Sequence, residues 1–254
     1  MTTFSEQFPI VFQALNVGFL QTLKLFFVTL IGAIPLGLII SFGSMSRWSP
    51  LGFLRPYLKN LPKDGKLTWW QKTQLWFAVD FRPIRLIVRF VIWVVRGTPL
   101  MLQLMVVYFG PYYLFGIKIS PFYRNIAVVI GFVLNYAAYF AEIYRSGIES
   151  MPVGQYEAAE ILGYSKSQTF LHIILPQVIK RILPSVTNEV ITLVKDTSLA
   201  FVIAVSEMFT IAKALASSQT SMVPYVAAGI FYYVFNFLVA WIMEKIEKHL
   251  SYYR

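Results

Sequence analysis

Five runs of about twenty or more mainly apolar residues, at 17–42, 84–109, 122–144, 184–212 and 223–243, dominate this chain. A membrane-spanning helix needs roughly 20 such residues. Lipid offers no water to backbone N–H and C=O groups, so a run of this length must pair them internally, as helix. The pattern predicts an all-α polytopic membrane protein with about five transmembrane helices. Composition points the same way. Hydrophobic residues make up 57% of the chain and charged residues 13%, against about 25% charged in a soluble domain. There is no internal repeat and no low-complexity tract, so residues 1–254 read as a single domain.

The net charge is +10. A basic chain suits nucleic acid or anionic lipid, but here the cations sit in the loops between apolar runs, which favours membrane orientation over nucleic acid. Arg47, Arg55, Lys59, Lys63, Lys66, Lys72, Arg82, Arg85 and Arg89 follow the first run. Arg145, Lys166, Lys180 and Arg181 follow the third, and Lys245, Lys248 and Arg254 end the chain. The opposite side has little beyond Lys118, Arg124 and Lys213. Positive loops mark the cytoplasm, so the expected N-terminus is outside, the C-terminus is cytoplasmic, and 154–176 lies inside. Residues 1–16 hold no Lys or Arg and lack the basic start of a signal peptide, so the first run is expected to be a retained anchor. The loop 44–83 is long and carries Trp69, Trp70 and Trp76. Its stretch 68–79 reads either as an interfacial segment with rings at headgroup depth or as a surface loop without a separate role.

Two runs carry polar breaks at similar depth. Arg96, Gly97, Thr98 and Pro99 lie about a dozen residues into the second run, and Lys195, Asp196, Thr197 and Ser198 about a dozen beyond Pro184. At about 1.5 Å per residue, both fall near mid-membrane. Proline removes a backbone donor and clashes with the preceding turn, so the second run should kink or open. Irregular backbone at that depth is tolerated only inside protein or along a water-filled cavity, and ionisable residues there are costly. Arg96, Thr98, Lys195, Asp196, Thr197 and Ser198, with Glu189 and Glu207, are therefore candidates for a solute route; internal pairing is the competing reading. Asn135 and Tyr136, midway along the third run, read as an interhelical hydrogen bond or as polar lining. Glu142 and Arg145, three apart, are expected to pair on one helix face.

The segment 154–176 is different. Residues 154–162 read as a short helix ended by Gly163, as a C-terminal glycine commonly does. A second short helix is expected at 165–174, limited by Pro176. Ala158 and Ala159 offer a thin face for a cleft, and Glu157 and Glu160 offer acidic handles to a partner. The chain has no phosphate-cradling G-x-x-x-x-G-K-[ST] stretch. It has no cysteine, and His172 and His249 stand apart. No catalytic centre, metal site or bound cofactor is expected on this chain.

YEAAEILGYSKSQTFLHIILP at 156–176 resembles the EAA signature of permease subunits of bacterial ATP-binding-cassette (ABC) importers. RGTPL at 96–100, NYAAYFAEIYRSGI at 135–148 and KDTSLA at 195–200 resemble the polar amino-acid, histidine/glutamine-type branch. The resemblance is weak over 16–42 and good over 82–250, and the long loop 44–83 departs from it. It implies a type I ABC importer transmembrane domain in the bacterial cytoplasmic membrane, with coupling helices at 154–176. Tyr156, Glu157, Ala158, Ala159 and Gly163 would contact an ATPase. It also implies two ATPase subunits that carry ATP and Mg, a second permease subunit, identical or related, and an extracellular solute-binding protein. A secondary transporter or channel driven by ion gradients is the alternative; it is disfavoured because five spans without a repeat do not form two matching halves.

Overall fold

The computed structural model describes residues 4–50, 52, 68–70, 73, 76–77 and 81–250. Most of the loop 44–83, including half of the expected interfacial stretch 68–79, lies outside the described residues. The described part is helical throughout: α1 (Phe4–Ser44), α2 (Pro83–Gly97), α3 (Leu100–Phe115), α4 (Pro121–Glu149), α5 (Val153–Ile161), α6 (Lys166–Gln168), a π turn (Thr169–Ile174), α7 (Leu175–Asp196), a 3-10 turn (Thr197–Ile203), α8 (Met208–Gln219) and α9 (Val223–Leu250). Helices α1, α4 and α9 are long and apolar enough to cross a membrane unaided. The pairs α2–α3 and α7–α8 qualify as bent spans, giving five if each pair counts as one.

Helix α1 starts well before the expected residue 17. Val11 and Leu15 are buried in a cluster with Met208, Ala212, Ala227 and Ala228, so packing against α8 and α9 carries the helix through the polar Gln13 and Asn16. The main core joins Leu25, Phe26 and Ala33 of α1 to Leu104 of α3. It continues through Phe132, Tyr136 and Phe140 of α4, Leu193 and Val194 of α7, and Phe235 and Val239 of α9. Lipid supplies no hydrophobic drive between helices, so close packing of small residues replaces it. Gly37 shows this: a Cβ there would sit 2.8 Å from Phe140 Cβ and 3.0 Å from the Ala137 carbonyl.

Two expected boundaries move. Pro176 does not limit a short helix. It sits in the first turn of α7, and the chain runs helically from Lys166 to Ile203. The π turn makes this possible: Leu175 N–H donates to the Phe170 carbonyl, five residues back, which widens the helix just before the proline. Pro184 likewise lies inside α7, flanked by the buried Val178, Thr187 and Val190. The expected break at 195–198 is present as a change from α-helix, which ends at Asp196, to the 3-10 turn at Thr197, without the sharp bend. There Thr197 donates to the Val194 carbonyl at 2.7 Å and Ser198 to the Lys195 carbonyl at 2.8 Å. The polar residues thus spend their hydroxyls on their own helix, and the chain turns only at Ala204 (φ 55°).

Candidate functional site

The first break forms as its proline dictates. Helix α2 ends at Gly97, α3 starts at Leu100, and their axes differ by 110°. Thr98 donates to the Val94 carbonyl at 2.9 Å. Gln103, one turn into α3, reaches back: its amide nitrogen lies 2.7 Å from the Val95 carbonyl, 3.0 Å from that of Thr98 and 2.9 Å from the Thr98 hydroxyl. Its amide oxygen accepts from Asn135 at 3.0 Å. Asn135 therefore makes the interhelical bond that was one of its two readings. Gln103 was not anticipated from sequence, although an isolated amide in an apolar run needs partners as much as Asn135 does.

Tyr136 is buried and donates to Asp196 at 2.7 Å, tying α4 to the end of α7. Lys195 is exposed and forms no ion pair among the described residues. Glu189 is half-buried, within electrostatic reach of Arg96 and Asp196. The Arg96 guanidinium lies 5.2 Å from the Tyr139 ring centre and 3.8 Å from Glu142. It lines a cavity of about 280 Å³ with Arg89, Trp93, Glu142 and Arg145. The expected Glu142–Arg145 pair is present and belongs to a longer chain: Arg145 also pairs with Glu149, and Glu149 lies 3.5 Å from Arg89. Arg96, Tyr136, Lys195, Asp196 and Glu189 thus converge from α2, α4 and α7. Thr197 is fully buried and donates to the Val194 carbonyl, whereas Ser198 is partly exposed and donates to the Lys195 carbonyl.

Glu207 is a correction. It was a solute-route candidate, but it is fully buried at the start of α8. Its carboxylate accepts from Phe209 N–H at 2.7 Å, Thr210 N–H at 2.6 Å, the Thr210 hydroxyl at 2.9 Å and the Tyr232 hydroxyl at 3.0 Å. An acidic N-cap satisfies orphan donors and suits the positive end of the helix. The role is structural.

In 154–176, helix α5 ends as its glycine requires. Gly163 has φ 78°. Tyr164 N–H donates to the Ala159 carbonyl and Gly163 N–H to that of Glu160, both at 3.0 Å, the paired bonds of a Schellman end. Tyr156, Glu157, Ala158 and Glu160 are exposed, and neither glutamate forms an ion pair among the described residues. Ala159 departs from the expectation. It is buried within the chain, so of the two alanines only Ala158 is exposed. The second helix is capped by Ser165, whose side chain accepts from Gln168 N–H while Gln168 returns to the Ser165 N–H, a capping box. Met151, Ile174 and Val178 bury together and fasten the segment to the base of α7.

Comparison with known proteins completes the picture. Residues 75–252 match the family model of binding-protein-dependent transport system inner membrane components. The chain is 40% identical over 172 residues to the arginine transport system permease protein of Bacillus subtilis, covering 67% of this chain and 77% of that protein. It is 35% identical over 227 residues to the octopine transport system permease protein of Rhizobium radiobacter, covering 87% and 85%. A crystal structure of an amino acid ABC transporter with histidines superposes with TM-score 0.77 at 28% identity, over 98% of this chain and 100% of that one. An inward-facing methionine ABC transporter shares the fold at TM-score 0.60 and 14% identity, over 95% and 94%. With an all-helical body of broken spans and 70% of its length inside the family model, this chain belongs to the inner membrane permease components of binding-protein-dependent transport systems.

Proposed function

We propose that this permease subunit forms half of the translocation path of an ATP-driven importer of polar amino acids and takes its drive through α5. A second permease subunit, identical or related, completes the path around a two-fold axis. Two ATPase subunits, which bind ATP and Mg, dock on α5, and an extracellular solute-binding protein delivers the substrate. The loop charges favour an external N-terminus and a cytoplasmic C-terminus. The observation that carries the reading is the continuity of the helix from Lys166 to Ile203. It begins at the capping box directly after α5, whose exposed glutamates form no ion pair among the described residues, and ends at the mid-membrane groups Lys195 and Asp196. Charges of both signs there suit a zwitterion, and ATP binding would select one of two states with opposite access.

The test couples two variants of the intact transporter in proteoliposomes. A Cβ on Gly163 would meet no atom within 4 Å, so substitution strains only the backbone, by about 1–2 kcal/mol for a left-handed residue. Gly163→Trp is expected to insert normally, to lose ATPase association and to cut uptake at least tenfold. Normal association and uptake would refute docking through α5. Asp196→Asn is expected to lower uptake or alter selectivity; unchanged kinetics across amino acids would remove Asp196 from the route. Uptake driven by an ion gradient without ATP would establish the secondary-transporter alternative.

A further inference from the structure

Between the end of α1, the start of α2, the end of α4 and the residues Val153 and Tyr156 of α5 lies a cavity of about 620 Å³. Arg47, Arg82, Arg85, Glu149 and Tyr156 line it. None of the three arginines forms an ion pair among the described residues, and the lone carboxylate, Glu149, is already engaged by Arg145 and Arg89. The Arg82 Nε is buried without a hydrogen-bond partner among the described residues. Arg82 is also the residue that caps α2, yet it supplies no side-chain acceptor, and the first turn of α2 holds no acidic residue. Three arginines therefore line one cavity, and two of them, Arg82 and Arg85, belong to the positive end of a 15-residue helix. That arrangement is unfavourable on its own, and it is what an anion would neutralise.

The surroundings say what kind of anion. Ile84, Leu86, Ile87 and Phe90 are exposed on α2 immediately beyond these arginines, and Trp48 is exposed beside Arg47. Tryptophan favours headgroup depth and bare aliphatic side chains favour acyl chains. A basic pocket between helices at that level suits a phospholipid headgroup, and the volume falls within the range of small-ligand sites. We propose that this cavity binds the phosphate of an anionic phospholipid, with its acyl chains along α2, so that a lipid bridges the ends of α1 and α2 next to α5. Arg47, Arg82 and Arg85 would hold the phosphate oxygens, and the Ile84 and Arg85 N–H groups at the start of α2 would add donors. The site stands on this geometry and not on the proposed docking of an ATPase.

Native mass spectrometry of the intact complex, exchanged into mild detergent with phosphatidylglycerol or phosphatidylethanolamine, tests the assignment. Wild type is expected to retain phosphatidylglycerol preferentially, and Arg82→Gln with Arg85→Gln to retain about tenfold less or lower still, as removal of two surface cations implies. Arg47→Gln, an exposed change that leaves α2 intact, should show an intermediate loss. Lys245→Gln with Lys248→Gln, which removes equal charge from α9, should retain lipid as wild type does. Equal retention of the two lipids, or no loss in the arginine variants, would overturn the proposal. Displacement of the lipid by millimolar inorganic phosphate would make the site one for a soluble anion. Loss of ATPase association with lipid retention unchanged would assign the arginines to the partner instead.

Discussion

The two bent spans solve one problem in opposite ways. At the α2–α3 break the helix opens through 110°, and the freed carbonyls of Val95 and Thr98 accept from one neutral side chain, Gln103. Arg96, Gly97, Thr98 and Pro99 all stay exposed. At the α7–α8 break the bend is 58°, and the donors at the start of α8 converge on one buried carboxylate, Glu207. Its turn is tied again by Arg124, which donates to the Ala204 carbonyl at 3.1 Å. An amide that bridges exposed backbone can release and re-form at little cost. A buried carboxylate with four donors cannot, because each orphaned donor costs about 1–3 kcal/mol. The comparison assigns movement to the first break and fixity to the second.

The sharpest way to break this contrast is Glu207→Ala. Four donors lose their acceptor, and destabilisation of about 3 kcal/mol or more is expected, read as a fall in the thermal midpoint of the purified protein. Glu207→Gln should fall less. An unchanged midpoint for Glu207→Ala would mean that the second break is not pinned by this residue. Gln103→Leu should cost only about 1 kcal/mol, because water can replace the amide at the exposed break and the main loss is the bond to the buried Asn135. Combined with Asn135→Ala, it should show a coupling of about 1 kcal/mol in a double-mutant cycle. The chain has no cysteine, so Thr98→Cys gives a clean reporter. Its labelling rate should rise several-fold when Gln103 is replaced, and a constant rate would show that the amide does not hold the break. The smallest effect is expected for Arg96→Gln. A half-exposed ion pair contributes about 0–1 kcal/mol, so stability should barely change while uptake falls. Normal uptake would place Arg96 in the packing of α2 against α4 and outside the route.

Much of this molecule was readable from its residues. The apolar runs are long enough that lipid leaves only helix as an answer, and Gly97–Pro99 removes a donor and opens the backbone where the bend occurs. Gly163 ends α5 in the left-handed conformation that a glycine there implies. The failures share a cause. Four polar residues at Lys195–Ser198 do mark the end of the regular α-helix, at Asp196, but Thr197 and Ser198 satisfy themselves on the preceding turn and the chain goes on as a 3-10 turn instead of bending there. The sharp turn falls at Ala204, a residue type with no preference for positive φ; local bonds from Ala204 N–H to Phe201 and from Val205 N–H to Ala200 close it, and Arg124 adds a bond from another helix. Glu207 looked like a costly intramembrane charge. Its partners are backbone donors two and three residues on, together with a tyrosine 25 residues away on another helix. Ala159 looked like part of a docking face because one sequence cannot say which side of a short helix its own base covers.

Proline commonly interrupts a helix, and Pro176 would have left α6 hinged loosely to α7. The widened turn at Thr169–Ile174 absorbs the mismatch without interruption. From Lys166 to Asp196 the backbone is therefore a single connecting rod, about 45 Å long at the usual rise. Under the proposed drive, a push on its Lys166 end would arrive at the Tyr136–Asp196 bond as axial thrust or torsion instead of being lost in a break at Pro176. The wide turn and Pro184 are the irregular points along that shaft, so they are where its stiffness would be decided.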